Sequence, residues 1–192
     1  PSGKLSAELG ILVQNVATCI AVFSTLRFGR PLTHRVITIS GEAIEQPGNV
    51  LAPIGMPVSE IIAQCGGLKS TPSRIVLGGP MMGRAINDVH SPVTKGTSGI
   101  LLLTESEVPD AKPSACVRCG RCVGACPMGL TPLEMVNELK RDQFDAASQM
   151  GLSDCLLCGS CAYVCPAAIP LTEYFDWGKQ VLNRRRLEAQ KT

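Results

Sequence analysis

Nowhere does this sequence run through eighteen uninterrupted apolar residues. Its most apolar stretch, Ile11 to Phe23, is broken by Gln14, Asn15 and Thr18, which rules against a bilayer-spanning helix and predicts a soluble or peripheral chain. The charge balance is equally thin. Eighteen Lys and Arg against sixteen Asp and Glu leave +2 over 192 residues, which offers nucleic acid no basic surface of the kind phosphate backbones demand. Histidine is nearly absent: His34 and His90 read as surface or turn residues rather than ligands. No general base, nucleophile or oxyanion site is therefore expected, and no catalytic residue is assigned. Ser2 to Ala7 lack the apolar core of a secretory signal, so a reducing compartment is expected and a disulfide framework is not.

Cysteine, by contrast, is abundant and ordered. Eight of the ten cysteines fall into one pattern used twice: Cys116, Cys119, Cys122 and Cys126 before Pro127, then Cys155, Cys158, Cys161 and Cys165 before Pro166. A cubane iron–sulfur cluster needs a thiolate on each of four irons, and three cysteines at intervals of three can wrap a loop around three of them. In this spacing the fourth cysteine usually serves the other cluster. The expected wiring is therefore crossed, with Cys116, Cys119, Cys122 and Cys165 on one [4Fe–4S] cluster and Cys155, Cys158, Cys161 and Cys126 on the other. Structural zinc sites pair two short Cys-x-x-Cys knuckles, which this run is not. Loading two cubanes with eight thiolates would take the net charge from +2 to about −2. The remaining Cys19 and Cys65 lie among apolar residues at helical spacing and are expected to be buried packing residues.

The rest of the chain divides near the polar, proline-bearing segment Glu105 to Ser114, which reads as a linker. Two domains are expected, 1–108 and 109–192. In the first, Asn15 is placed to cap a helix with the apolar stripe Val16, Cys19, Ile20, Phe23 and Leu26, ended by Gly29 and Pro31. Arg35 to Ser40 reads as a strand, Gln46-Pro47-Gly48-Asn49 as a type II turn, and Val50 to Pro53 as the returning strand. Pro57 should open a short helix closed by Gly66 and Gly67, with strands at Arg74 to Leu77 and Gly99 to Thr104. That order is the order of a β-grasp unit. Gly78 to Gly83, with the sequence Gly-Gly-Pro-Met-Met-Gly, lacks the G-x-G-x-x-G spacing of a phosphate loop. It is expected to be a tight backbone crossing whose Met81 and Met82 pack on a neighbour.

In the second domain Thr131-Pro132-Leu133-Glu134 reads as a capping box opening a helix between the two cysteine runs. A further helix from Leu171 carries Tyr174, Phe175, Trp177, Val181 and Leu182 to the basic run Asn183 to Arg186, read as a solvated helix end. A helix where compact ferredoxins place strands points to an α-helical ferredoxin type. The expected fold class is thus α+β: a small β-grasp domain, then an α-helical ferredoxin-like domain with two [4Fe–4S] clusters. Arg118, Arg121 and Ser160, inside the ligand loops, are candidates for raising a cluster's potential.

Four stretches in this order, Gly10 to Thr18, Gly78 to Gly83, Cys116 to Pro127 and Asp154 to Pro166, closely resemble the C subunit of Rnf ion-translocating electron transport complexes. The resemblance covers essentially the whole chain. It implies electron flow between NADH and ferredoxin coupled to Na⁺ or H⁺ movement, with other Rnf subunits, membrane subunits included, as partners. It further implies a peripheral position on the cytoplasmic face of the bacterial inner membrane. In that family NADH and FMN bind an N-terminal domain that precedes a β-grasp domain of the soluble-ligand-binding type and the two-cluster domain, so the resemblance implies that the chain is a fragment holding no NADH or FMN residues of its own. Two alternatives stand beside this expectation: a cobalamin reductase of bacterial microcompartments, and a docking module whose clusters are structural.

Overall fold

The computed structural model describes residues 6–108 and 112–190. The chain forms two compact units, Lys4–Pro109 and Asp110–Thr192, and its architecture is mixed sheet plus helices. Helix α1 (Val16–Phe28) opens the first unit; β1 (His34–Ser40), β2 (Gly48–Pro53), α2 (Val58–Gln64), β3 (Arg74–Leu77), β4 (Arg84–Ile86) and β5 (Gly99–Leu103) follow. The second unit is helical: α3 (Arg121–Gly124), α4 (Pro132–Lys140), α5 (Phe144–Gln149), α6 (Ser160–Tyr163) and α7 (Leu171–Ala189).

The five strands of the first unit form one sheet in the order β2-β1-β5-β3-β4. Strand β1 is its hinge, pairing antiparallel with β2 and parallel with β5. Alternation along β1 sends Ile37 and Ile39 inward, where they are fully buried, while Val36 beside them stays 59% exposed. Helix α2 lays Val58, Ile61 and Ile62 onto that inner face, against Ala52, Ile100 and Leu102. Burying each such side chain contributes about 1.5–3 kcal/mol. Cys65 lies in the same core, as its apolar neighbours predict, and burial pushes its thiol upward from the ordinary range.

Several local expectations fail. The type II turn at Gln46 to Asn49 is not formed: Gly48 is the first residue of β2 and is not among the glycines with positive φ. The tight reversal comes earlier, at Gly41 (φ +114), where a Cβ would lie 2.1 Å from the Leu102 carbonyl oxygen. Pro57 caps α2 rather than opening it, with extended backbone at ψ 145. Strand β4 went unread because three residues carry too short a pattern. Its hairpin with β3 explains Gly78 to Gly83: a Cβ at Gly83 would meet Val76 Cγ1 at 2.4 Å, so the crossing is as tight as expected. Met81 and Met82 do not pack on a neighbour, however; they are 45% and 63% exposed.

Helix α1 has the expected cap, with Asn15 accepting from the Ala17 amide at 2.9 Å and Gly29 ending the helix at φ 65. Its apolar stripe is not buried. Val16, Ile20, Phe23 and Leu26 are 72%, 62%, 60% and 83% exposed, and Cys19 is exposed too, against the expectation of packing. Part of the supposed linker is also structure. Glu105–Glu107 is a 3-10 turn held by a capping box on Thr104, and the Glu107 carboxylate accepts from the Thr104 amide at 2.9 Å and the Glu42 amide at 3.1 Å. The adjoining residues 109–111 lie outside the described residues.

In the second unit α4, α5 and α7 enclose Met135, Val136, Leu139, Phe144, Leu152, Leu171 and Phe175. The helix between the cysteine runs forms, but not through a capping box. Thr131 sits at φ −105, ψ 79 with no side-chain cap bond, away from the extended backbone that aims a cap hydroxyl at the first-turn amides, and Pro132 at N1 supplies the start instead. Helix α7 runs through the arginines to Ala189. Arg185 lies over the Phe144 ring at 4.7 Å and reaches Asp145 at 4.0 Å, so that part of the basic run packs on the unit rather than standing free.

Candidate metal centres

The two cysteine runs fold as near copies. Each starts with a residue in left-handed backbone at the same place, Arg118 (φ 54) and Leu157 (φ 53), and each repeats the conformation at Gly120 (φ 73) and Gly159 (φ 80). A short helix follows in each, α3 and α6. Left-handed backbone returns after the Cys-Pro pairs at Gly129 (φ 64) and Ala168 (φ 48). Such alternation turns successive amides toward one concave side, the geometry that favours anionic groups. The sulfurs receive some of these amides directly. The Arg118 amide donates to Cys116 Sγ at 3.3 Å, and the Leu130 amide to Cys126 Sγ at 3.4 Å.

The cysteines come together in two sets of four. One cavity is lined by Cys116, Cys119, Cys122 and Cys165, with Val117, Arg118, Val123 and Leu171 among its walls. The other is lined by Cys126, Cys155, Cys158 and Cys161, with Met135, Leu157, Thr172 and Phe175. Each cavity takes three cysteines from one run and one from the other. Among the described residues no three Cys, His, Asp or Glu side chains converge as a single ion would require. The all-sulfur donor set and the amides aimed at it are what a cubane core takes.

The two surroundings differ. Cys116 and Cys119 are exposed, whereas Cys161 is buried and Cys155 and Cys158 are half-buried. Burial raises the Cys155 thiol, opposed by the Leu157 amide and the Lys179 ammonium, and burial likewise raises Cys161. The hydroxyl and amide of Ser160 hold Cys158 below its usual range, with Ser160 Oγ 3.4 Å from Cys158 Sγ. Of the other sequence candidates, Arg118 lines the first cavity through its backbone loop, while Arg121 starts α3 and is not on the cavity wall. His34, in the first unit, has its Nδ1 3.0 Å from the Thr33 hydroxyl.

Two contributors escaped sequence reasoning. Lys179 donates from Nζ to the carbonyls of Ser153 (3.1 Å) and Cys155, which sets a positive charge beside the second cavity. Thr172 buries its hydroxyl in the wall of that cavity, close enough to Cys161 to favour the thiolate. Their one sequence signal was a place on α7, the helix that follows the second Cys-Pro pair. No helix among the described residues is long and apolar enough to cross a membrane.

Comparison with known proteins fits this geometry. Residues 36–85 match the SLBB domain and residues 115–169 the 4Fe-4S dicluster domain. Over 97% of its length the chain is 50% identical to the C subunit of the ion-translocating oxidoreductase complex of Rhodobacter capsulatus, covering 36% of that protein. It is 48% identical, over 78% of its length, to the C subunit of the proton-translocating ferredoxin:NAD(+) oxidoreductase complex of Clostridium ljungdahlii, covering 33% of it. Against the Na(+)-translocating counterpart of Acetobacterium woodii the figures are 41%, 80% and 35%. The chain thus spans about a third of the length of the curated relatives it matches.

Proposed function

The chain belongs to the family of C subunits of ion-translocating oxidoreductase complexes, and on that premise we propose that its second unit relays single electrons through two [4Fe–4S] clusters. The observation that carries this is the pair of four-cysteine cavities. Cys116, Cys119, Cys122 and Cys165 would hold one cluster, and Cys155, Cys158, Cys161 and Cys126 the other. When bound, a cubane supplies a one-electron couple. The chain's own residues hold it by amide donation to sulfur, keep the second site partly dry with Met135, Phe175 and Leu157, and set charge beside it with Lys179.

The wider reading follows the relatives. The relay would sit in an NADH:ferredoxin oxidoreductase coupled to Na⁺ or H⁺ movement, with FMN and NADH on residues outside this sequence. Its partners would be the other subunits of the complex, membrane subunits included, met at the cytoplasmic face of the inner membrane. The domains would divide as 1–108 and 109–192. The first would be a β-grasp fold, supported by a sheet in which β1 pairs antiparallel with β2 and parallel with β5 while α2 covers one face. A corrinoid reductase is the weaker reading, since the relatives named are ion-translocating or ferredoxin:NAD(+) oxidoreductase subunits.

Anaerobic reconstitution with iron and sulfide tests the relay and its wiring together. Wild-type chain should take up about eight irons and show two interacting S = 1/2 signals on reduction. Replacing Cys165 with Ser should damage the cluster of Cys116, Cys119 and Cys122, and replacing Cys126 the one held by Cys155, Cys158 and Cys161. Loss of the cluster within the same run would overturn the crossed assignment, and binding of two zinc ions in place of eight irons would overturn the relay.

A further inference from the structure

The repeat runs on past the cysteines into the helices. Cys165 follows Cys126 by the same interval that separates Leu171, the first residue of α7, from Pro132, the first of α4. The two helices therefore start at equivalent places, and each lends its second residue to the wall of a cavity: Leu133 to the first, Thr172 to the second. The exchange is polar for apolar. Among the described side chains of the second unit, Thr172 Oγ1 is the buried nitrogen or oxygen that has no hydrogen-bond partner, and Thr131 on the wall of the first cavity is not stranded in this way. Inside a helix a threonine hydroxyl can bond the carbonyl four residues back. Here that residue is Ala168, which precedes α7 and has left-handed backbone (φ 48), and the bond is not made. Leaving a buried hydroxyl unpaired costs more than a made bond contributes, a cost that an isosteric valine would avoid. What the cavity offers this hydroxyl is sulfur. Thr172 lies close enough to Cys161 to favour its thiolate form, and Cys161 is itself 9% exposed.

We propose that Thr172 sets the potential of the second site, its hydroxyl donating to the ligand sulfur of Cys161 when a cluster occupies the cavity of Cys126, Cys155, Cys158 and Cys161. The inference rests on the relay reading above. A hydroxyl hydrogen aimed at a ligand sulfur favours the state that carries more negative charge, and hydrogen bonds to the sulfurs are among the levers that set a cluster's potential. Reduction adds one electron and makes or breaks no covalent bond. The hydroxyl keeps its proton, so its hydrogen bond strengthens as the charge on sulfur grows and holds the midpoint above the value the same cysteines would give beside an apolar residue. Met135 and Phe175, 0% and 2% exposed, line the same wall, an apolar setting in which such a bond is stronger than in water. Leu133 gives the first site no donor at the equivalent place. Thr172 is thus one source of difference between two sites that share a cysteine pattern.

The test uses the chain reconstituted with iron and sulfide, as wild type, Thr172→Val and Thr172→Ser, each titrated potentiometrically with EPR detection. Valine keeps the shape and removes the donor; serine keeps the donor. Thr172→Val should lower one of the two midpoints by about 59 mV, a tenfold change in a one-electron equilibrium constant, with the other midpoint and the iron content at wild-type values. Thr172→Ser should restore most of the difference. Thr172→Ala, a second donor-free variant, should move the same midpoint the same way, and it carries the test should the valine variant not take up iron. In pulsed hyperfine spectra of the reduced protein, one exchangeable-proton coupling shared by wild type and Thr172→Ser should be missing from the donor-free variants. An unchanged midpoint without the donor, an equal fall with serine, or equal movement of both midpoints would overturn the proposal, the last two being what a packing role produces. Loss of iron from both donor-free variants with serine intact would overturn it as well, since the hydroxyl would then hold the cluster rather than tune it. Failure of the relay reading is separate: it appears as missing iron and missing signals in the wild type before any variant is compared.

Discussion

Gly178 sits inside α7 and is buried, and the chain's choice of glycine there can be weighed energetically. A methyl at this position would lie 2.7 Å and 3.1 Å from the two δ-carbons of Leu139 and 3.0 Å from Leu152 Cδ2. Both leucines are 0% exposed, so their ends have no open space to swing into. Gly178→Ala would recover about 1 kcal/mol of helix propensity. Against that, overpacking a filled core costs about 1–3 kcal/mol, and contacts this short belong near the middle of that range or above. The net expectation is a loss of about 1 kcal/mol, or about 4–8 °C in Tm for a unit of this size. Anaerobic thermal melts followed by far-UV circular dichroism would measure it. The contact account also fixes a coupling: Leu139→Ala should cost less in the Gly178→Ala background than in the wild type, because the new methyl fills part of the cavity. A rise in Tm for Gly178→Ala, or strict additivity of the two changes, would refute the reasoning. The consequence reaches the site, since α7 also carries Thr172, Phe175 and Lys179 against the second cavity.

Two further outcomes concern the first unit. Gly41→Ala should destabilise it by about 3 kcal/mol, combining left-handed backbone strain with loss of the bond from the Ala43 amide to the Leu102 carbonyl, which is 3.2 Å long. Gly48→Ala, with nothing within 4 Å of the new Cβ, should instead stabilise by about 0.5–1 kcal/mol, and denaturant midpoints of the pair would separate the two effects. For pH, the Thr104 and Glu42 amides hold the Glu107 carboxyl below its ordinary range. Its contribution is complete above the ordinary carboxylate pKa and lost as pH falls through the lowered folded value. Glu107→Gln should therefore flatten the acid limb of the stability profile, and an unchanged limb would remove Glu107 as its source.

Which features were readable from sequence follows from their range. The Asn15 cap, the Gly29 stop and the glycines after α2 are local signals and were legible. Burial of α1 was not. Its residues are apolar on nearly every side, so a stripe chosen by period is only one face of several, and Val16 to Leu26 stand exposed. The Thr131 box shows the opposite error: a matching pattern does not form when the backbone at the cap is not extended. The box that does form, Thr104 to Glu107, was overlooked because no apolar run follows it. Lys179 and Thr172 were missed because their role depends on how α7 crosses the second cysteine run, which spacing along the chain does not encode.

The cysteine spacing encodes a nearly symmetric object, and the backbone keeps that symmetry down to the left-handed residues at 118 and 157. Direction cannot come from such an object. It must come from the residues the repeats do not share, and these sort by side: basic and exposed around Cys116 and Cys119, apolar and half-buried around Cys155 and Cys158. Arg118 occupies a backbone position that strains any side chain, and Leu157 occupies the same one. The strain is therefore the requirement of the loop, while the choice of arginine over leucine is free to serve the surface. On the relay reading, a first cavity whose Cys116 and Cys119 are exposed, with Arg118 and Glu134 on its wall, and a second, half-buried cavity with Lys179 beside it would give the pair two distinct ends. That is the property a symmetric pair of cysteine runs lacks and that a relay between different partners needs.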